Sequence, residues 1–174
     1  LINIKVVKQQ ESKKNNQIMK TWKDLLFAFI FLTVLSIGSA AKAAGADSTR
    51  VIKITGTDQM KFSVTHIEAE PGQKIKVELT TVSSFPANAM SHDFVLLRAG
   101  ADPAKVAGAS ARYVSKGYVA PEMKGQIIAY TSLASGGKTV EVTFKAPDKP
   151  GNYIYICTFP GHFLAGMKGV LTVK

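Results

Sequence analysis

Cys157, His162 and Met167 fall within one stretch of eleven residues, "CTFPGHFLAGM", near the C-terminus of a 174-residue chain. Cys157 is the single cysteine. His92 stands 65 residues before it. Two imidazole nitrogens and one thiolate in a trigonal plane, with a weak axial thioether, make a copper site. Thiolate and imidazole together hold both Cu(I) and Cu(II), in a shape between the preferences of the two ions. Little then has to move when one electron arrives or leaves. The thiolate also needs a dry, hydrogen-bonded setting, which tunes the potential. Each residue has an ordinary reading when taken singly. A lone buried cysteine is usually a small hydrophobe, and a methionine before a strand usually fills core. The four together point to one metal site. The third histidine, His66, interrupts a strand pattern with no partner at suitable spacing, and is assigned a structural role.

These side chains need a scaffold that gathers distant segments at one end. After a small-residue linker over 44–50, apolar and polar residues alternate with period two in "VIKITGT", "FSVTHIEAE" and "KIKVELTTV". The alternation predicts strands over 51–57, 62–70 and 74–82, with Pro71-Gly72 as a turn. "HDFVLL" (92–97) is apolar enough for a strand buried on both faces. Strands are further expected over 126–131, 138–146, 151–157 and 169–174. Between the fourth and fifth lies an alanine-rich segment, with a short helix expected over about 103–115. Eight strands with turn signals at this spacing predict an all-β, eight-stranded Greek-key β-sandwich with one short helical insertion. A sandwich of this kind collects strand ends at one pole, so His92 can reach the loop that carries the other three.

Hydrophobic residues make up 46% of the chain, enough to fill such a core. The N-terminal part reads differently. "MKTWK" (19–23) is basic, "LLFAFIFLTVLSI" (25–37) is apolar, and "AKA" (41–43) follows. That order predicts a secretory signal peptide over 19–43, cleaved after Ala43 with Ala40 as the fallback, or else a retained N-terminal anchor. The apolar run is shorter than the roughly 20 residues of a spanning helix. Residues 1–18 are polar and lysine-rich, and are expected to be an over-extended, disordered start. Net charge is +10 for the whole chain. Residues 1–43 hold seven of the 22 Lys+Arg and two of the 12 Asp+Glu, which leaves 15 against 10, or +5. The remaining lysines are scattered along strands without a basic block or interleaved aromatics, so no nucleic-acid partner is expected. A lone thiol in an oxidising compartment is a liability unless protected or metal-bound.

"CTFPGH" and "MKGVLTVK" resemble the C-terminal ligand loop of azurins and auracyanins, small blue-copper proteins of the cupredoxin fold. "NAMSHDFVLL" resembles the segment with their first histidine, and "TGTDQMKF" their early strand and turn. The resemblance covers 51–174, a plastocyanin/azurin-like copper-binding domain. It implies one copper ion with His92, Cys157 and His162 as equatorial ligands and Met167 as the axial one. Asp93, Thr158 and Phe159 stand behind them. Four residues separate His162 from Met167, as in auracyanins, where azurins have three. Ser91 replaces the glycine whose carbonyl approaches the metal, and a backbone carbonyl remains available there. Asp93 replaces an asparagine that ties the ligand loops together. It can accept hydrogen bonds from Thr158, but cannot donate when ionised. The disulfide of azurins has no counterpart.

The leading expectation is a one-electron carrier, with the exposed edge of His162 as the electron port inside an apolar docking patch of Phe85, Pro86, Met90, Phe163, Leu164 and Ala165, with few charges nearby. Expected partners are redox proteins such as cytochromes or copper/haem oxidoreductases, in the periplasm or another extracytoplasmic space. Membrane contact is expected only if the N-terminal segment is retained. The alternative is a periplasmic copper carrier or scavenger, a class that tends to use exposed Met and His clusters. An enzyme is not expected, because copper catalysis needs an open position or further histidine motifs.

Overall fold

The computed structural model describes residues 48–174. The expected start (1–18), the signal or anchor segment (19–43) and most of the linker lie outside the described residues.

Ten strands form in order: β1 (Arg50–Thr57), β2 (His66–Ala69), β3 (Lys74–Val82), β4 (Ser91–His92), β5 (Val95–Leu97), β6 (Ile127–Tyr130), β7 (Ala134–Ser135), β8 (Thr139–Lys145), β9 (Gly151–Ile156) and β10 (Lys168–Val173). One sheet has the order β1-β3-β8 and the second β2-β10-β9-β5-β6, while β4 and β7 form a short separate pair. β1 runs parallel to β3 and β2 parallel to β10, and the other pairs are antiparallel. This is a two-sheet all-β sandwich, the architecture that the strand pattern predicts.

β3 shows why the sheets face each other. Ile75, Val77, Leu79 and Thr81 point inward and are fully buried, while the residues between them are partly or fully exposed. Opposite them stand Phe94, Leu96, Tyr155 and Leu171 from the second sheet and its approach. Burying each large apolar side chain contributes roughly 1.5–3 kcal/mol. Tyr155 packs against both Phe62 and Phe94, and its hydroxyl donates to the Val64 carbonyl at 2.7 Å. Its cross-strand partner is Gly169, where a Cβ would lie 2.2 Å from the Tyr155 ring. A glycine is therefore required there by space alone.

Three elements depart from the expected spans. The strand over 92–97 is broken at Asp93 and Phe94, because Asp93 turns its carboxylate to Thr158 and the Phe94 amide donates to Thr131 Oγ1. The second strand begins at His66 rather than Phe62. Upstream, Phe62 makes an isolated bridge to Gly56, the Ser63 amide donates to the Thr55 carbonyl, and the Val64 carbonyl serves Tyr155. The helix α1 spans Pro103–Ser110, not 103–115. Asp102 caps it by accepting from the Ala104 and Lys105 amides, with Pro103 in the first turn. Two 3₁₀ turns, Val114–Lys116 and Pro121–Gln126, complete the insertion. Val106 of α1 joins Val95, Leu97, Val119, Ile127 and Ile156 in a second core cluster, which covers the outer face of β5. That cover explains why every residue of β5 is buried.

Candidate metal centre

The two-residue pair β4–β7 holds His92, with Ser91 opposite Ser135 and His92 opposite Ala134. Gly56 near the end of β1 makes room for the ring. A Cβ there would lie 2.5 Å from His92 Cδ2 and 3.0 Å from Met167 Cε. Cys157 follows the last residue of β9, and its amide donates to the Met167 carbonyl at 3.2 Å, just before β10. The chain between them turns tightly. The His162 amide donates to the Phe159 carbonyl and the Met167 amide to the His162 carbonyl. One hairpin connection of the second sheet thus sets three of the four side chains, and the separate β4–β7 pair delivers the fourth.

His92 Nδ1 and His162 Nδ1 are 3.1 Å apart. Cys157 Sγ lies 3.4 Å from His162 Nδ1 and 3.9 Å from His92 Nδ1. First-row ions bind imidazole nitrogen and thiolate at about 2.0–2.3 Å, so donors around one three-coordinate ion stand about 3–4 Å apart. The three atoms fit that requirement. His92, Cys157 and Met167 are 0% exposed, and His162 is 2% exposed rather than open at its edge as expected, because the Phe159 ring and the ligand loop cover it. Burial holds both imidazoles below their usual range, His162 to about 4 with a smaller contribution from the charge of His92. Both rings are therefore neutral and ready to donate a lone pair. Burial, with the Asp93 charge as the lesser cause, pushes the Cys157 thiol well up. The thiol must lose its proton when a metal binds. His92 Nε2 is buried without a hydrogen bond.

Behind the donors, Asp93 is fully buried and bound to the ligand loop. The Thr158 amide donates to its Oδ1 at 2.6 Å, and Thr158 Oγ1 contacts its Oδ2. Thr158 Oγ1 also faces the Tyr118 carbonyl at 2.6 Å. Thr158 Oγ1 thus stands between two acceptors, the Asp93 carboxylate and the Tyr118 carbonyl. Burial raises the Asp93 carboxyl to about 6 against the pull of the Thr158 hydrogen bonds. Phe159 lays its ring against His162 at 4.7 Å between centroids, and Tyr118 meets Phe159 edge-on.

The expected docking residues separate. Leu164 is 86% exposed and Phe85 54%, with Pro86 and Ala165 also exposed. Phe163 is half-buried against the second core cluster. Met90 is buried and belongs under the surface rather than on it, because the Pro86–Met90 turn folds it inward with its amide on the Pro86 carbonyl. The patch is also less neutral than expected. Lys61 Nζ donates to the Ala165 carbonyl at 2.6 Å, and Lys168 Nζ lies 5.9 Å from the centre of the Phe163 ring. Ser91 is buried, with its hydroxyl on the Ala87 carbonyl. His66 stands at the solvent face of β2, 3.8 Å from Glu68. Sequence reasoning missed Gly56, Lys61, Lys168 and the Tyr118 carbonyl. The segment "TGTDQMKF" contains Gly56 and Lys61, but only the folded turn brings them to this pole.

The model of the copper binding proteins of the plastocyanin/azurin family matches residues 49–174. Azurin of Pseudomonas fluorescens biotype A is 35% identical over 126 residues, 71% of this chain and 97% of that protein. Auracyanin-B of Chloroflexus aurantiacus is 33% identical over 117 residues, 67% of this chain, although the chain spans only 48% of that protein's length. Among solved structures, auracyanin A, a "blue" copper protein from Chloroflexus aurantiacus, superposes with a TM-score of 0.63 at 34% identity, covering 73% of this chain and all of that one. Two buried imidazoles, one buried thiol and one buried thioether converge at the end of a two-sheet sandwich, and the sequence matches along the same residues. The chain belongs to the plastocyanin/azurin family of copper-binding proteins, with one copper ion as its cofactor.

Proposed function

We propose that this protein carries single electrons between redox partners outside the cytoplasm, with copper held equatorially by His92, Cys157 and His162 and axially by Met167. The observation that supports it most is the enclosure of the donor set. Three donor atoms stand 3.1 to 3.9 Å apart, and none of their residues is more than 2% exposed. A closed site leaves no room for substrate at the metal, which disfavours catalysis there. It also disfavours a scavenger, which has to exchange its ion readily.

Copper, when bound, supplies the one-electron couple. The residues contribute the rest. Neutral imidazoles and the buried thiol keep the donor geometry before metal arrives, so little reorganisation is needed. Phe159, packed on the His162 ring, excludes water. The Asp93–Thr158 contact joins the His92 segment to the Cys157 loop. Because His162 is almost covered, a partner has to approach through the thin layer formed by the loop itself. The Ser91 carbonyl is a candidate further weak contact. The signal-like segment over 19–43 supports export to the periplasm. Cytochromes or copper/haem oxidoreductases are the partner classes that fit one-electron exchange.

The test is to add Cu(II) to the metal-free protein. An intense blue absorption band should appear and bleach on uptake of one electron per copper, then return on reoxidation. Copper binding without that band would favour the scavenger reading.

A further inference from the structure

We propose that the face around Leu164 docks a redox partner whose contact surface is acidic, and that it disfavours a second copy of this chain. The inference rests on the carrier reading above and adds the chemistry of the partner. Leu164, at the crest of the ligand loop, is 86% exposed, while its neighbours in the chain are each tied to a lysine. On one side Lys61 Nζ donates to the Ala165 carbonyl at 2.6 Å. It also occupies the space where a Cβ on Gly166 would stand, 2.8 Å away. On the other side Lys168 Nζ sits 5.9 Å from the Phe163 ring centre, within the range of a cation–π contact. A free lysine gives up rotamer entropy when it pairs. These two are already anchored, so their charges stay beside Leu164 at smaller cost.

Acidic groups are scarce around them. The exposed loop segments 83–91 and 158–168 contain no Asp or Glu. The turn that carries Lys61 has Asp58, with one carboxylate oxygen buried. Next to Leu164, α1 and the loop enclose an apolar groove of about 120 Å³, lined by Ala107, Ala111, Phe159 and Phe163 among others. An apolar knob and groove with a cationic rim matches a partner that carries carboxylates around an apolar contact. Rim charges contribute little affinity each, but they steer encounter and reject wrong partners. Two copies face to face would bring lysines together within the screening length of about 8–10 Å.

The experiment uses the copper(I)-loaded protein and two forms of one probe: cytochrome c with its native lysine-rich face, and cytochrome c with those lysines succinylated. Both proteins are kept reduced, so binding is read without electron transfer, from amide shifts at residues 161–168. The succinylated form should bind more tightly at low salt, and the preference should fade as salt rises. In the double variant Lys61→Gln with Lys168→Gln, binding of the succinylated form should weaken about fivefold, with the melting curve and the blue spectrum of the separately oxidised variant as controls for the fold. Equal or tighter binding of the native form would overturn the proposal, as would a preference that survives the double variant. Concentration-dependent self-association through the same amides would overturn it too. Mixing the reduced, loaded protein with the oxidised, succinylated cytochrome tests the carrier reading separately. Failure of electrons to pass while the binding preference holds would sink that reading and leave the surface assignment standing.

Discussion

In the body of the sandwich, β3 buries Ile75, Val77 and Leu79 against Phe94, Leu96 and Leu171, so nearly everything enclosed is apolar. At the metal pole, the enclosed residues are His92, Asp93, Cys157, Thr158 and His162. The body gains free energy from burial. The pole spends some of it, because buried polar groups without full partners cost stability. His92 Nε2 has no hydrogen bond, and two imidazoles stand 3.1 Å apart. The contrast shows how a metal site is preformed: an apolar body holds in place a cluster of groups that would not assemble by themselves. Binding an ion then recovers part of the cost, and stabilises the fold by mass action.

The largest expected effect separates the two regions outright. Cys157→Ser should abolish the blue band entirely, while the melting of the metal-free protein changes little, since the side chains are nearly the same size. Collapse of the metal-free fold in that variant would show that pole and body are not separable. The converse change comes next. Leu79→Ala should cost about 2–5 kcal/mol in denaturant unfolding of both metal-free and copper-loaded protein. The visible spectrum of the folded fraction should not change. A shifted spectrum would mean that core packing reaches the ligands.

Met167→Leu should have a smaller effect. The axial thioether forms a long, weak bond, so copper should stay bound and the reduction potential should rise, as voltammetry would read. Volume is conserved, so stability should change by less than about 1.5 kcal/mol. Loss of copper would count against the axial assignment.

The smallest effect concerns acid. The folded state raises the Asp93 carboxyl from 3.8 to about 6. Its contribution to stability is therefore present below the ordinary value and lost as pH rises towards 6. His162 is lowered from 6.5 to about 4. Its contribution is present above its ordinary value and lost as pH falls towards 4, and His92 shifts in the same direction. Asp93 opposes one histidine across this window and the second histidine is left over, so the metal-free protein should gain stability gently as pH rises from 4 to 6.5. Asp93→Asn removes the opposing slope and should make that rise steeper. A flat profile in that variant would show that the histidines do not titrate as their burial implies.

Much of this was legible beforehand, and the reasons can be traced residue by residue. The alternation in "KIKVELTTV" is a local property of a half-buried strand, and β3 spans those nine residues. All eight expected strands exist, with one of them split and one short partner, β7, added. The split at Asp93 was hidden because it depends on Thr158 and Thr131, which are distant in the chain. The helix ran short for a similar reason. The alanine-rich pattern carries no stop signal at Ala111, whereas Gly117 and Pro121 act only further on. Burial of Met90 and the two lysines beside Leu164 also come from loop packing between separate segments, which leaves no periodic trace.

The sequence by itself determined that Cys157, His162 and Met167 would meet, because eleven residues between two paired strands cannot hold them far apart. It also determined that strands would dominate, through residue spacing that each segment carries alone. Only the tertiary structure decided where His92 stands. Its position follows from the β4–β7 pair and from the missing side chain at Gly56, since 65 residues of chain impose no distance of their own. The lysine rim was decided in the same way. Lys61 reaches Ala165 across 104 residues, through a hydrogen bond that exists only when both loops arrive at the same pole.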